Sequence, residues 1–218
     1  MASQKRLLIS GIENLGLRIG KKELSALDLY TQVLLEWSGR INLTGHRDQK
    51  QIEIFHYLDS LSLFKTGLIQ PGLSVLDVGS GAGFPGLPLK IFEPTLEMTL
   101  LEASERRCFF LRYLARLLEL PDVRIEVGQA RDFARETEAS FDLIVSRAVG
   151  SMSKISSWTV PILKPGGLIL LQKSRKVENE IQENRKELQK LGLKIRETIP
   201  LSVPHLDRSR FVVVLEKN

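Results

Sequence analysis

The stretch Val75-Leu76-Asp77-Val78-Gly79-Ser80-Gly81-Ala82-Gly83-Phe84-Pro85-Gly86-Leu87-Pro88 decides how this chain folds. An apolar run holding one acid spills into alternating glycines. That is the pattern of a buried strand, a tight loop and a helix, the opening of a nucleotide-cofactor site in a Rossmann-like sheet. The loop by itself fits two ligand classes. Residues 81–86 satisfy the G-x-G-x-x-G of dinucleotide binders, and residues 79–83 the G-x-G-x-G of methyltransferases. A missing Cβ admits positive φ and close approach of a ligand to the backbone in either case. Asp77 separates them. A carboxylate at the tip of the first strand repels a pyrophosphate and suits a cofactor with a cationic or amino-bearing end. This favours S-adenosylmethionine. The plainer role for Asp77 is to accept from loop amides, and the two roles are compatible.

Downstream of the loop the pattern alternates strand and helix. Strands are expected over 74–78, 99–102, 124–127, 142–145, 168–171, 194–198 and 211–215. One helix is expected over 104–120, with Ser104 as N-cap. Its apolar residues are Phe109, Leu111, Leu114 and Leu118, and its charge comes from Arg106, Arg107, Arg112 and Arg116. A second, highly charged helix is expected over 177–191. Alternating units predict a mostly parallel sheet. The last strand follows Pro204 and a polar loop with no helix before it, so it is expected to close the sheet as a late antiparallel hairpin.

Upstream, residues 21–38 carry Leu24, Leu27, Leu34 and Trp37 at helical spacing. Residues 49–66 read as a second helix with Ile52, Phe55, Leu58, Leu61 and Leu63 inward. The expected organisation is a helical extension over 1–70 and an α/β domain over 71–218.

The chain has 218 residues, 43% of them hydrophobic, enough for a sizeable core. No apolar run spans a membrane, and the apolar stretch after Lys5 and Arg6 is too short for a signal peptide. The single Cys108 forms neither an intrachain disulfide nor a multi-cysteine zinc site. His46, His56 and His205 lack metal-ligand spacing. No metal is expected, and a reducing cytoplasm is. Net charge is +5, unevenly spread: residues 71–146 hold eight Lys/Arg against twelve Asp/Glu, and residues 147–218 hold fourteen against seven. A polyanion is attracted to the ends of such a chain rather than its middle. A solvated, basic C-terminal helix is the alternative.

Further candidates follow from position. Glu102 ends the second strand, 25 residues after Asp77, where an acid accepts from ribose hydroxyls. Gln129-Ala130-Arg131-Asp132 follows the third strand, where an adenine would lie. An ordinary surface loop is the alternative. Arg147 leaves the fourth strand at the carboxyl edge of the sheet, where chemistry sits in such folds. It suits a cofactor carboxylate or an RNA phosphate, or else a salt bridge. Absences narrow the chemistry. Ser146-Arg147-Ala148-Val149 replaces the tetrad used on exocyclic adenine amines, and Cys108 lies mid-helix, away from a pyrimidine-C5 nucleophile position. A ring nitrogen with a free lone pair, such as guanine N7, needs no proton removed, so positioning and electrostatics suffice.

Taken together the motifs resemble the bacterial small-subunit rRNA guanine-N7 methyltransferase G family, also called glucose-inhibited division protein B. The resemblance rests on Trp37 with Ile41-Asn42-Leu43-Thr44, and on His56 with Asp59-Ser60-Leu61. It continues through 77–86, Phe141-Asp142, Ser146-Arg147-Ala148 and Lys173 to the final strand. It implies a class I S-adenosylmethionine fold and N7 methylation of one guanine in the 530 loop of 16S rRNA, by a monomer bound to the rRNA or the small subunit. It implies cofactor contacts at Gly79, Gly81, Phe84, Glu102, Ala103, Ser104, Ala130, Arg131 and Arg147, beside Asp77. Asn42, Thr44, His56 and Asp59 would line the approach, with Arg147, Asn42 and His56 positioning the reacting groups. RNA contacts would come from Thr44, Arg147, Lys173 and Arg210. The plainer reading makes Asn42 and Thr44 helix caps and His56 a packed helix residue. Two departures stand out. The family has Arg-Ala-Glu-Glu where this chain has Gln129-Ala130-Arg131-Asp132, and Lys-Gly where it has Lys173-Ser174. An RNA-binding or ribosome-assembly factor on this scaffold, and an NAD-dependent oxidoreductase, are the competing readings.

Overall fold

The computed structural model describes residues 2–138, 140–147, 150–174 and 177–218. Seven strands form one sheet: β1 Ser74–Val78, β2 Glu97–Glu102, β3 Val123–Val127, β4 Phe141–Arg147, β5 Leu163–Lys173, β6 Leu193–Leu201 and β7 Arg210–Lys217. Their spatial order is β3-β2-β1-β4-β5-β7-β6. The first five run parallel, and β7 lies antiparallel to both β5 and β6. The expected late hairpin is present. Its return strand also inserts between β5 and β6, so β7 is interior, and its Val212, Val213, Val214 and Leu215 are fully buried. A continuous apolar run is the composition such a two-sided strand needs.

The helices after the sheet begins are α5 Gly86–Phe92, α6 Glu105–Leu117, α7 Ala130–Glu136, α8 Met152–Thr159 and α9 Val177–Lys190, preceded by α1 Ala2–Asn14 and α2 Lys21–Ser38. Residues 129–132 are no loop beyond their first member. Gln129 is the N-cap of α7 and Ala130 its first residue. Residues 49–66 are helical throughout but not one α-helix. They run as α3 Gln49–Ile52, a π segment Glu53–Leu58, α4 Asp59–Leu61 and a 3-10 turn Ser62–Thr66. The π segment shifts the buried face: Ile54 and Tyr57 join Ile52, Leu58, Leu61 and Leu63 inside, while Phe55 is only half-buried. π segments of this kind are frequent at functional sites.

The N-terminal helices do not form a separate core. Leu8, Ile12, Leu27, Tyr30, Leu34 and Tyr57 belong to one apolar cluster with Val75, Leu87, Leu100, Phe110 and Val214. The opposite face of the sheet packs under α7, α8 and α9. Lys90 of α5 is fully buried. Its Nζ donates to the Pro94 and Leu96 carbonyls at 2.7 and 2.6 Å, capping the turn into β2.

Candidate functional site

The 79–86 loop is fixed from three sides. Gly79, Gly81 and Gly83 take φ of 73, 58 and 100°. Beneath the loop, Asp77 is fully buried and its Oδ2 accepts from Gly86 N at 2.9 Å. A Cβ on Gly86 would stand 2.9 Å from that oxygen and 2.5 Å from Leu100, so the approach demands glycine. Asp77 Oδ1 is buried and has no hydrogen-bond partner among the described residues. Burial pushes the Asp77 carboxyl up to about 7, against the pull of the Gly86 bond. Beside the loop, Glu102 Oε2 accepts from Gly81 N and Oε1 from Ser104 N, both at 2.9 Å. Ser104 caps α6, its Oγ accepting from Arg107 N at 3.5 Å. Ala103 is exposed between them, and across the sheet edge Ala130 is buried while Arg131 is exposed.

The third side is the N-terminal helices. Phe84 is sandwiched: Tyr30 stacks on it with ring centres 5.2 Å apart and planes 5° apart, and His56 at 4.4 Å and 14°. Tyr30 OH donates to Ala82 O at 2.6 Å. Tyr30 lay within an amphipathic helix at core spacing, and nothing in its surroundings in sequence marked it as a clamp on a loop 52 residues away.

His56, on the π segment, continues the arrangement into a second site. Its Nδ1 lies 3.1 Å from Arg147 Nη2. A guanidinium only donates, so Nδ1 accepts and Nε2 carries the proton, within reach of Thr44 Oγ1 (2.7 Å) and His46 Nδ1 (3.2 Å). Burial, with the Arg147 charge beside it, holds His56 down to about 3, so it is neutral near pH 7. Arg147 is no surface salt bridge. It is 17% exposed, pairs with Asp59 Oδ2 at 2.9 Å, donates to Phe55 O at 3.0 Å and lies over the Phe84 ring. Asp59 also takes Arg210 Nε on Oδ1 at 2.8 Å, and Gln172 Nε2 donates to its backbone carbonyl. Lys173 Nζ is paired with Glu180 of α9 at 2.6 Å.

These side chains wall an open cleft of about 370 Å³ at the carboxyl ends of β4 and β5. Arg147, Lys173, Arg208 and Arg210 line it against the single carboxylate of Asp59, with Ser174 at its edge. Arg208, exposed over the Phe55 ring, and His46, stacked on Phe55 at 4.5 Å, are members that position in the sequence did not mark. Thr44 is buried and does not cap a helix. Its hydroxyl serves His56 and accepts from His46 N at 3.1 Å. Nor does Asn42: it is exposed, and its carbonyl accepts from Arg107 Nη2 at 3.1 Å. Ala148, part of the motif after β4, lies outside the described residues. Cys108 is buried in α6. Among the described residues no three His, Cys, Asp or Glu gather as a metal site, and no helix is long and apolar enough to cross a membrane.

The fold resembles a SAM-dependent methyltransferase from Aquifex aeolicus (TM-score 0.60, 18% identity, 78% of this chain and 94% of that one). It also resembles M. jannaschii TYW2 in complex with AdoMet (TM-score 0.58, 18% identity, 82% of this chain and 78% of that one). In sequence, residues 23–209 match the GidB family model, rRNA small subunit methyltransferase G. Ribosomal RNA small subunit methyltransferase G of Lachnoclostridium phytofermentans is 36% identical over 96% of this chain and 87% of its own length. The protein of the same name from Streptococcus sanguinis is 36% identical over 93% and 86%. These relatives set aside the dinucleotide oxidoreductase reading of residues 81–86. The chain belongs to the GidB family, rRNA small subunit methyltransferase G, and is an S-adenosylmethionine-dependent methyltransferase.

Proposed function

We propose that this chain methylates N7 of one guanine in the 530 loop of 16S rRNA, as a cytoplasmic monomer, with residues 1–70 serving as an extension that shapes the substrate cleft. The observation that carries the reading is the junction at Phe84. Its ring belongs to the glycine loop, and its neighbours His56 and Arg147 wall the cationic cleft, so donor loop and polyanion surface meet there.

The residues fit the donor. Gly81, at φ 58°, has no atom nearer than 3.9 Å where a Cβ would stand, which leaves a cradle beside Glu102. Glu102 keeps lone pairs for ribose hydroxyls after serving two amides. Asp77, with one oxygen unpartnered among the described residues, favours a cationic end nearby. Ala130 and Arg131 would flank the adenine, Ala130 keeping the family's alanine and Arg131 standing where the family has glutamate, with the backbone groups of both retained. When bound, S-adenosylmethionine supplies an electrophilic sulfonium methyl.

The protein's own part is positioning. Guanine N7 presents its lone pair without losing a proton, so a neutral His56 with Nδ1 already engaged suits a site that orients rather than deprotonates. Arg147, fixed by Asp59, holds positive potential at the cleft floor for the approaching phosphates. Lys173 and Arg210 extend that potential along β5 and β7.

The test is primer extension across 16S rRNA after cleavage at N7-modified guanines, with and without the protein. A new stop in the 530 loop is expected, and its absence under saturating donor overturns the reading. An RNA-binding or assembly factor is the second reading, favoured by Arg131 and Ser174. Single-turnover transfer from labelled donor separates the two.

A further inference from the structure

Among the described residues, the exposed large apolar side chains are Phe109 (63%), Tyr113 (45%), Leu117 (38%) and Val127 (43%). Three belong to α6, and the fourth ends β3, against which α6 is tied by Arg112 Nη2 donating to Ile125 O. The two rings are not isolated. Trp37 backs both, with ring centres 5.8 Å from Phe109 and 5.4 Å from Tyr113.

The charges around them are predominantly positive, with Glu105, four residues before Phe109, the one acid of α6. Arg106, Phe109, Tyr113 and Arg116 are all exposed and recur at spacings that place them on one stripe of the helix. Exposed Arg112 flanks the stripe, and α6 carries four arginines against one glutamate. This sits inside the segment that is net acidic in sequence, so the fold gathers positive charge that a running count conceals. A cation–ring–ring–cation stripe is the composition of a surface that takes unpaired nucleotides, bases on the rings and phosphates on the guanidinium groups.

The stripe is joined to the cleft. Arg107 of α6 holds the carbonyl of Asn42, and two residues further on Thr44 bonds His56 in the cleft wall. The 39–48 segment therefore spans the two sites.

We infer that the outer face of α6 is a stacking platform for single-stranded RNA next to the methylated guanine. This rests on the rRNA substrate proposed above. The positive charge selects a polyanion over a second copy of this chain or an apolar protein face.

The test measures fluorescence anisotropy of the full chain with a fluorescein-labelled, unstructured RNA of about 12 nucleotides. Wild type is assayed in parallel for methyl transfer to 16S rRNA. The double variant Phe109→Leu/Tyr113→Leu keeps apolar area but removes both π faces, and it should bind the oligonucleotide at least about tenfold more weakly. The swap Phe109→Tyr/Tyr113→Phe should bind like wild type. Arg106→Gln/Arg116→Gln should lower the slope of log affinity against log salt by about 1.4.

Wild-type affinity in the leucine double variant overturns the platform. So does a wild-type dimer in sedimentation that the double variant dissolves, since the face is then an interface between copies. The two proposals fail separately. Methylation by wild type with unchanged oligonucleotide binding in the variants sinks only the platform. Loss of oligonucleotide binding in the variants with no methylation by wild type sinks only the proposed reaction.

Discussion

Asp59 in α4 and Arg147 at the end of β4 are ion-paired at 2.9 Å across 88 residues of sequence. Asp59 is 1% exposed and holds Arg210 of β7 with its other oxygen. One carboxylate from the N-terminal helices thus ties two strands of the sheet and sets the floor of the cleft.

Removing that carboxylate leaves two mostly buried guanidinium groups facing each other. Breaking a buried charge arrangement by deleting one partner costs about 3–5 kcal/mol. Asp59→Ala should lower the thermal midpoint by roughly 10 °C, and Arg210→Ala by less, because the Arg147 pair survives. Scanning calorimetry on the three proteins checks the order, and an unchanged midpoint for Asp59→Ala removes the carboxylate from the stability argument.

Asp77→Ala should abolish methyl transfer while leaving the fold. The variant loses the acceptor for Gly86 N, which costs about 1–3 kcal/mol, but it also removes a carboxyl that burial disfavours in its charged form. Circular dichroism should match wild type while single-turnover rates vanish. Wild-type turnover in the variant would remove Asp77 from the donor site.

Asp77 and His56 give opposing pH dependence. The Asp77 carboxyl is raised to about 7, so the folded state binds its proton more tightly than the unfolded chain, and stability falls as pH rises from about 4 to 7. His56 is lowered to about 3, so the unfolded chain binds that proton more tightly, and stability falls as pH drops from about 6.5 towards 3. Each slope is at most about 1.4 kcal/mol per pH unit. Relative to wild type, Asp77→Asn should gain stability from pH 4.5 to 7 and His56→Gln from pH 6.5 to 4.5. Urea denaturation at four pH values reads both, and parallel profiles for all three proteins contradict the assignment.

Glu102 accepts from two backbone amides at the edge of the proposed donor cradle. Hydrogen bonds to a charged acceptor contribute about 1.5–3 kcal/mol each. Glu102→Ala should weaken S-adenosylmethionine binding at least about tenfold, with Glu102→Gln between it and wild type. Titration calorimetry decides, and equal affinities would detach Glu102 from the donor.

The strands, their order of appearance, the glycine loop and the closing hairpin were legible in the sequence because each depends on neighbours within about ten residues. Val75, Leu76 and Val78 are apolar where the sheet buries them, and alternate glycines follow where φ turns positive. The departures have local causes too. Helix α7 is a short charged segment without a clear period, and the π segment over 53–58 adds a residue to a turn that the 3.6-residue repeat does not anticipate.

Residue order by itself determined the sheet type, the glycine loop and the acidic groups at the tips of β1 and β2. Only the tertiary structure decided that Tyr30 and His56 clamp Phe84, that Asp59 joins Arg147 to Arg210, and that Phe109 and Tyr113 face outward among arginines. Periodicity encodes which side of an element is buried. It carries no record of which distant element covers that side, because long-range pairing is chosen by packing and charge across the whole chain.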